Sequence, residues 1–290
     1  MRLFKKSSPA WPPSWTYDAG AYIWRFVFSG AGHILGETRD PERKTTSFFC
    51  LAENDGTVLW EGLQSDEEWW VGFEAVESGR FYLHGFRKPD MPQHLGIRAH
   101  DLATGKALWR NDDLAFVLAR DQDVYGAREG FSGMEFFRLS AADGSVAEEL
   151  GQDITKINVL RGLLNEEEDY SGYRYPEPFS QEHPAFAAAA APLQTLLDPA
   201  RVIGNLDVLV EKSLLLAAWH EAKENSGATP ALRQHLAALA LPRGKALYET
   251  VLLEEADAPG MDSFFLKDAQ LLYIKNRRVL TAHDLNGVSQ

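Results

Sequence analysis

The sequence predicts an all-β protein built from a repeated hairpin, on three observations. Residues 47–62 (SFFCLAENDGTVLWEG), 96–111 (GIRAHDLATGKALWRN) and 135–150 (EFFRLSAADGSVAEEL) align without gaps. Each reads as an alternating apolar run, a polar turn ending in glycine, and a second alternating run, the pattern of two antiparallel strands with one face inward. In two of them an aromatic residue follows the turn glycine by four: Trp60 after Gly56, and Trp109 after Gly105, while Glu148 holds that place after Gly144. The spacing between copies is close to the ~40–50 residues of a four-stranded repeat.

The remaining elements follow in order. A fourth copy covers residues 236–250, with Tyr248 four after Gly244, and a fifth begins at Arg278 and reaches only Gly287. Trp15 precedes the apolar run 22–28 much as Trp60 precedes 69–73, so residues 12–17 are expected to complete the fifth copy. Pairing the first strand with the last closes a sheet array that would otherwise expose unpaired edges. The fold class expected is therefore a β-propeller, its ring closed by an N-terminal strand. Four intervals between successive aromatic positions are one blade long, and the 100 residues from Glu148 to Tyr248 are two blades or one with an insertion. Six blades is the resulting count, with seven and five as alternatives. Inner strand pairs fall at 69–75 with 80–86, 114–119 with 123–128, and 263–266 with 270–275. Residues 154–164 read as a strand, and 183–197 as a short alanine-rich helix broken near Pro192. The expected domain is residues 11–290, with a flexible stretch at 1–10 and a helical insertion near 165–198.

Composition narrows the partners. The 290 residues carry 29 Lys and Arg against 42 Asp and Glu, a net charge of −13. Such a surface repels phosphate backbones and anionic lipid, so neither nucleic acid nor membrane is an expected partner. The one cysteine, Cys50, lies in an apolar run and is expected to be a buried, unreactive thiol. No apolar run follows the basic start, and no window approaches the ~20 apolar residues of a membrane span. A cytoplasmic monomer is the expectation.

Asp101-Leu-Ala-Thr-Gly-Lys-Ala-Leu-Trp109 resembles the D-x-x-T-G-x-x-L-W core of the PQQ-like, or quinoprotein-type, propeller repeat. The resemblance implies that Trp15, Trp60, Trp109 and, at the matching position, Tyr248 dock one blade on the next. The whole chain also resembles a bacterial propeller family of unknown function. Quinone enzymes with this repeat are typically larger, exported and often carry adjacent cysteines, so no cofactor is expected here.

Candidate ligand residues lie where loops feed inner strands. The acidic loop 64–68, with Asp66 and Glu67, runs into Trp69-Trp70, where carboxylates and an indole face would suit a cation or sugar. The favoured reading is a solvated turn followed by a strand with one tryptophan buried. Residues 87–94 form a loop longer than a tight turn requires, with Asp90 and His94. Together with His84 and His100 these are metal-ligating types, but no spacing matches a recognised motif and His100 repeats as His283, so no metal site is assigned. The insertion 166–183 offers Asp169, Tyr173, Arg174, Glu182 and His183. There is no Gly-rich phosphate loop, nucleophile elbow or zinc-protease helix, so no catalytic residue is assigned. The leading expectation is a non-catalytic binding or scaffold module for a protein or small polar ligand. The alternative is a hydrolase or lyase on a carbohydrate-like substrate, using carboxylates of the insertion.

Overall fold

The computed structural model describes residues 11–87, 91–167, 169–223 and 231–287. The expected flexible stretch 1–10 and the candidate Asp90 lie outside them. The chain is all-β, organised as antiparallel sheets in two compact units: residues 21–169, and residues 170–290 with the first twenty. No helix among the described residues is long and apolar enough to cross a membrane.

The unit of residues 21–169 holds three four-stranded meanders. The first runs β2 (Tyr22–Phe28), β3 (His33–Asp40), β4 (Thr45–Ala52) and β5 (Val58–Leu63), after a strand β1 (Trp15–Asp18) that belongs to the other unit. The second is β6 (Val71–Glu77), β7 (Arg80–Phe86), β8 (His94–Asp101) and β9 (Ala107–Asn111); the third is β10 (Ala115–Arg120), β11 (Asp123–Gly130), β12 (Gly133–Ser140) and β13 (Val146–Gly151). A single parallel step, Ala115 opposite Gly96, links the second and third into one eight-stranded sheet. The turn glycines of the first four copies have positive φ: Gly56 at 68°, Gly105 at 70°, Gly144 at 71° and Gly244 at 63°. Only glycine enters that region at little cost, which is why the turn always ends on one.

Packing follows the alternation. Leu35, Phe48 and Cys50 of the first meander bury against Val71, Phe73, Phe81 and Leu83 of the second, with Leu102. Burial pushes the Cys50 thiol up to about 12, as expected of an unreactive core cysteine. The ring nitrogen of Trp60 donates to the carbonyl of Leu102 at 2.8 Å, and that of Trp109 donates to Ala141 at 2.8 Å. Each indole thus bonds the following meander three residues ahead of its turn glycine.

Residues 154–164, read as a strand from sequence, are a helix: α1 (Ile154–Glu167). Ile157, Leu160 and Leu164 recur at helical spacing and pack on Leu118, Tyr125, Ala127 and Phe136. Asp153 accepts the amide of Thr155 at 2.9 Å and so starts the helix.

The other unit holds two sheets of five strands. One is β15 (Glu177–Ser180), β16 (Asn205–Glu211), β17 (Leu214–Ala222), β18 (Leu232–Ala240) and β19 (Lys245–Ala256). The other orders β1, β22 (Val279–Asp284), β21 (Gln270–Lys275), β20 (Phe265–Lys267) and β14 (Tyr173–Arg174). The N-terminal strand therefore completes the last sheet, with Trp15 opposite Ala282. The expected short helix appears as α2 (Phe186–Ala190) followed by a single turn through Pro192. Phe186, Ala190, Leu193 and Leu197 pack it on the β15–β19 sheet. The described residues thus form five meanders rather than the six counted from spacing. The long interval carries one sheet, and its extra length is helix and loop that pack on neighbouring strands.

Candidate functional site

Three side chains that the sequence scatters over twenty-odd residues meet at one end of the second meander. Glu74 lies in β6, His84 in β7 and His94 at the start of β8. Glu74 sits where the β6–β7 register slips between Phe73 and Ala75, and β7–β8 slips again between Leu83 and Gly85. Bulges of this kind re-aim side chains out of strict alternation. Opposite His84 stands Gly72, where a Cβ would come within 3.0 Å of the imidazole Cε1, so the missing side chain makes room for the ring.

The two imidazoles stack in parallel, centroids 3.5 Å apart and planes inclined by 6°. Both Nδ1 atoms face one carboxylate oxygen. Glu74 Oε1 is 2.7 Å from His94 Nδ1 and 3.1 Å from His84 Nδ1. His84 is 5% exposed, and its buried Nδ1 makes no well-formed hydrogen bond among the described residues, its 3.1 Å approach to Glu74 being the nearest. Burial pushes the Glu74 carboxyl up, but the adjoining imidazoles His84 and His94 outweigh it and hold the group below its ordinary value. Phe86 meets both histidine rings edge-on and Trp70 packs edge-on against Phe86, which fixes the stack from one side.

His94 also lines an open cavity of about 670 Å³ between the second and third meanders. Arg87, Arg128 and His94 stand there beside Asp112, Asp113 and Glu129. Arg87 pairs with Glu129 at 3.0 Å; Arg128 pairs with Glu135 and lies over the Phe137 ring. Among the described residues the lining mixes both charges and contains no hydroxyl, thiol or lysine amine. A second cavity, of about 370 Å³, lies in the other unit beside Asp207, His220 and the exposed Met261. There burial raises Asp207, which accepts from Ser263 at 2.8 Å, and lowers His220, whose Nε2 accepts from the amide of Gly260.

The other residues singled out from sequence are engaged locally. Asp66 bridges Arg98 and Arg110. Burial alone would raise its carboxyl, but hydrogen bonds from Ser65, Arg110 and Arg98 hold it well below the usual range. Glu67 accepts the amides of Trp69 and Trp70, and the Arg39 guanidinium lies 5.2 Å from the Trp69 ring. Tyr173 stacks on Phe265 and Arg174 pairs with Glu211. Glu182 is exposed, and His183 Nδ1 accepts the amide of Ala185 at 3.2 Å, beside Phe179. Asp169 is exposed at the end of the first unit. His100 accepts no role in the stack; its Nδ1 lies 3.1 Å from the carbonyl of Gly105. Tyr248 reaches the last sheet, its hydroxyl 2.7 Å from that of Tyr273 and its ring against His283. Trp15 is buried at the β1–β22 pairing.

Of the metal-ligating types weighed from sequence, the structure joins His84 with His94 and adds Glu74, which sequence reasoning missed. Glu74 lies in an alternating strand, where a carboxylate reads as an outward position. The bulge that turns it inward has no glycine to announce it.

A family model described as a domain of unknown function (DUF4905) matches residues 29–109. That stretch contains Glu74, His84 and His94. No curated protein matches the chain. Among solved structures, BamB from Moraxella catarrhalis is similar at 10% identity, over 92% of this chain and 87% of that one, with a TM-score of 0.34. The α-L-arabinanase of Penicillium chrysogenum, complexed with arabinobiose, is 9% identical over 96% of this chain and 97% of its own, with a TM-score of 0.30. The N-terminal domain of Nup159 is 9% identical over 91% and 76%, with a TM-score of 0.29. Likenesses this slight have no bearing on function.

Proposed function

We propose that the protein is a non-catalytic binding module, its meanders the blades of one β-propeller, and that it holds a small polar ligand in the cavity beside His94. The propeller reading is supported by the repeat period, the four-stranded meanders and the tryptophans that bond one meander to the next. The ligand reading is carried by one observation: the cavity sets three cationic or protonatable groups beside three carboxylates in about 670 Å³. A pocket of that size matches a small organic molecule. Its charge pattern suits a zwitterion or a densely hydroxylated ligand, to which Arg128 would donate from a guanidinium fork. A cytoplasmic location and a monomeric state belong to the same reading.

A panel of amino acids, betaines and small sugars, screened by thermal shift and then calorimetry, tests this. At least one class should bind in the millimolar range or tighter, and Arg128→Ala should weaken it at least ~10-fold, the usual cost of a charged hydrogen bond. Arg128 is largely on the surface, so the variant should melt like the parent. A panel without a binder, or binding indifferent to Arg128→Ala, would overturn the assignment.

A further inference from the structure

We infer that Glu74, His84 and His94 form a binding site for a single divalent transition-metal ion, with zinc as its natural probe. The donor set is two imidazole nitrogens and one carboxylate oxygen, all within 4.8 Å of one another. Zinc takes His nitrogen at about 2.0–2.1 Å and carboxylate oxygen at about 2.0–2.2 Å, so donors around a tetrahedral ion stand about 3.3 Å apart. The observed 2.7 and 3.1 Å separations from Glu74 Oε1 are already near that edge length.

The arrangement is awkward for the groups alone. A protonated pair of imidazoles stacked at 3.5 Å would place two cations face to face. With both rings neutral, the buried Nδ1 of His84 still has no hydrogen bond, a cost that folded proteins rarely leave standing. A cation shared by the three donors removes both difficulties once the imidazoles turn out of their parallel stack, because each nitrogen lone pair lies in its ring plane. Nitrogen donors disfavour magnesium and calcium and suit zinc, cobalt and nickel. Three protein donors leave one position of a four-coordinate ion for water or for a molecule in the cavity that His94 lines, as in zinc sites that exchange ligands. Phe86 meets both rings edge-on from outside the donor set.

The test uses the full chain and the metal alone, so a ligand panel that fails leaves it untouched. Chelator-stripped protein is titrated with Zn²⁺ against a chromophoric indicator, with Mg²⁺ as competitor. The same protein is titrated with Co²⁺, whose visible absorption reports a low-coordinate site. One equivalent of Zn²⁺ should bind, undisplaced by Mg²⁺. His94→Ala and Glu74→Gln should each weaken it by about 100-fold or more, since loss of an outer partner alone costs about 10–100-fold. His94 is partly exposed and Glu74→Gln keeps the side-chain volume, so both metal-free variants should melt near the parent; His183→Ala should bind as the parent does. Absence of a stoichiometric Zn²⁺ site in the parent, or unchanged affinity and cobalt spectrum in both variants, would overturn the assignment.

Discussion

The contact repeated most faithfully along the chain is between an indole and a glycine. A Cβ on Gly144 would lie 2.5 Å from Trp109 Cε3, and one on Gly105 would lie 3.0 Å from Trp60 Cδ2. The glycine is thus fixed twice, by its positive φ and by the ring laid on it. Gly144→Ala is expected to cost about 1–3 kcal/mol in chemical denaturation, from backbone strain plus overpacking. In a Trp109→Ala background the Gly144→Ala loss should be smaller, because the ring it clashes with is gone, so the double variant should lose less than the sum of the two. A strictly additive double variant would show that the ring and the turn are independent. At this scale the sequence was legible wherever a residue type recurred at a fixed offset. It was opaque at Glu74, where the decisive fact is a register slip; the same slip falls at Trp24 and Val117 in the neighbouring meanders, but no shared residue type marks it.

Among elements, β1 carries the most consequence per residue. It makes four pairings to β22, and Arg278 holds Asp18 through two bonds of 2.9 and 2.6 Å. Trp11, 3% exposed, enters the core with Leu209, Leu252 and Phe264, and its ring nitrogen donates to the carbonyl of Asp284. Removing residues 1–18 should lower the melting temperature by at least ~5 °C, since about 1 kcal/mol corresponds to ~2–4 °C in a chain of this order of size. Unchanged melting would mean that β22 is content as an edge. Period-2 alternation and turn glycines located most strands, though not β3, β14, β15 or β16, and β1 was found from its tryptophan. The helix α1 escaped because its β-branched start, Ile154-Thr155, resembles a strand until the Ile157, Leu160 and Leu164 spacing is weighed against the sheet it covers.

Across the whole molecule, buried histidines set the response to acid. Burial lowers His100, His220 and His235, and it takes His283 down to about 4. An unfolded histidine titrates near 6.5, so between pH 6.5 and about 4 the unfolded chain binds protons that the folded chain refuses. Stability is therefore full above that window and is lost as pH falls through it. From about pH 7.5 to about pH 5, His283 alone should remove about 2 kcal/mol. Urea denaturation at both values should show His283→Gln losing less stability than the parent by that amount. An identical loss in both would reassign the acid sensitivity to the other groups. The overall strand content was legible from repeat spacing, yet the meander count was not, because packed insertions and missing blades lengthen an interval alike.

The pairing of Trp15 with Ala282 also has a meaning for crowded solutions. The strand that finishes the last sheet arrives from the far end of the chain, and nothing in the register distinguishes its own copy from another's. Two chains refolding side by side can trade first strands and satisfy every bond that each would make alone. Exchange of this kind yields dimers whose interface is borrowed entirely from the folded monomer.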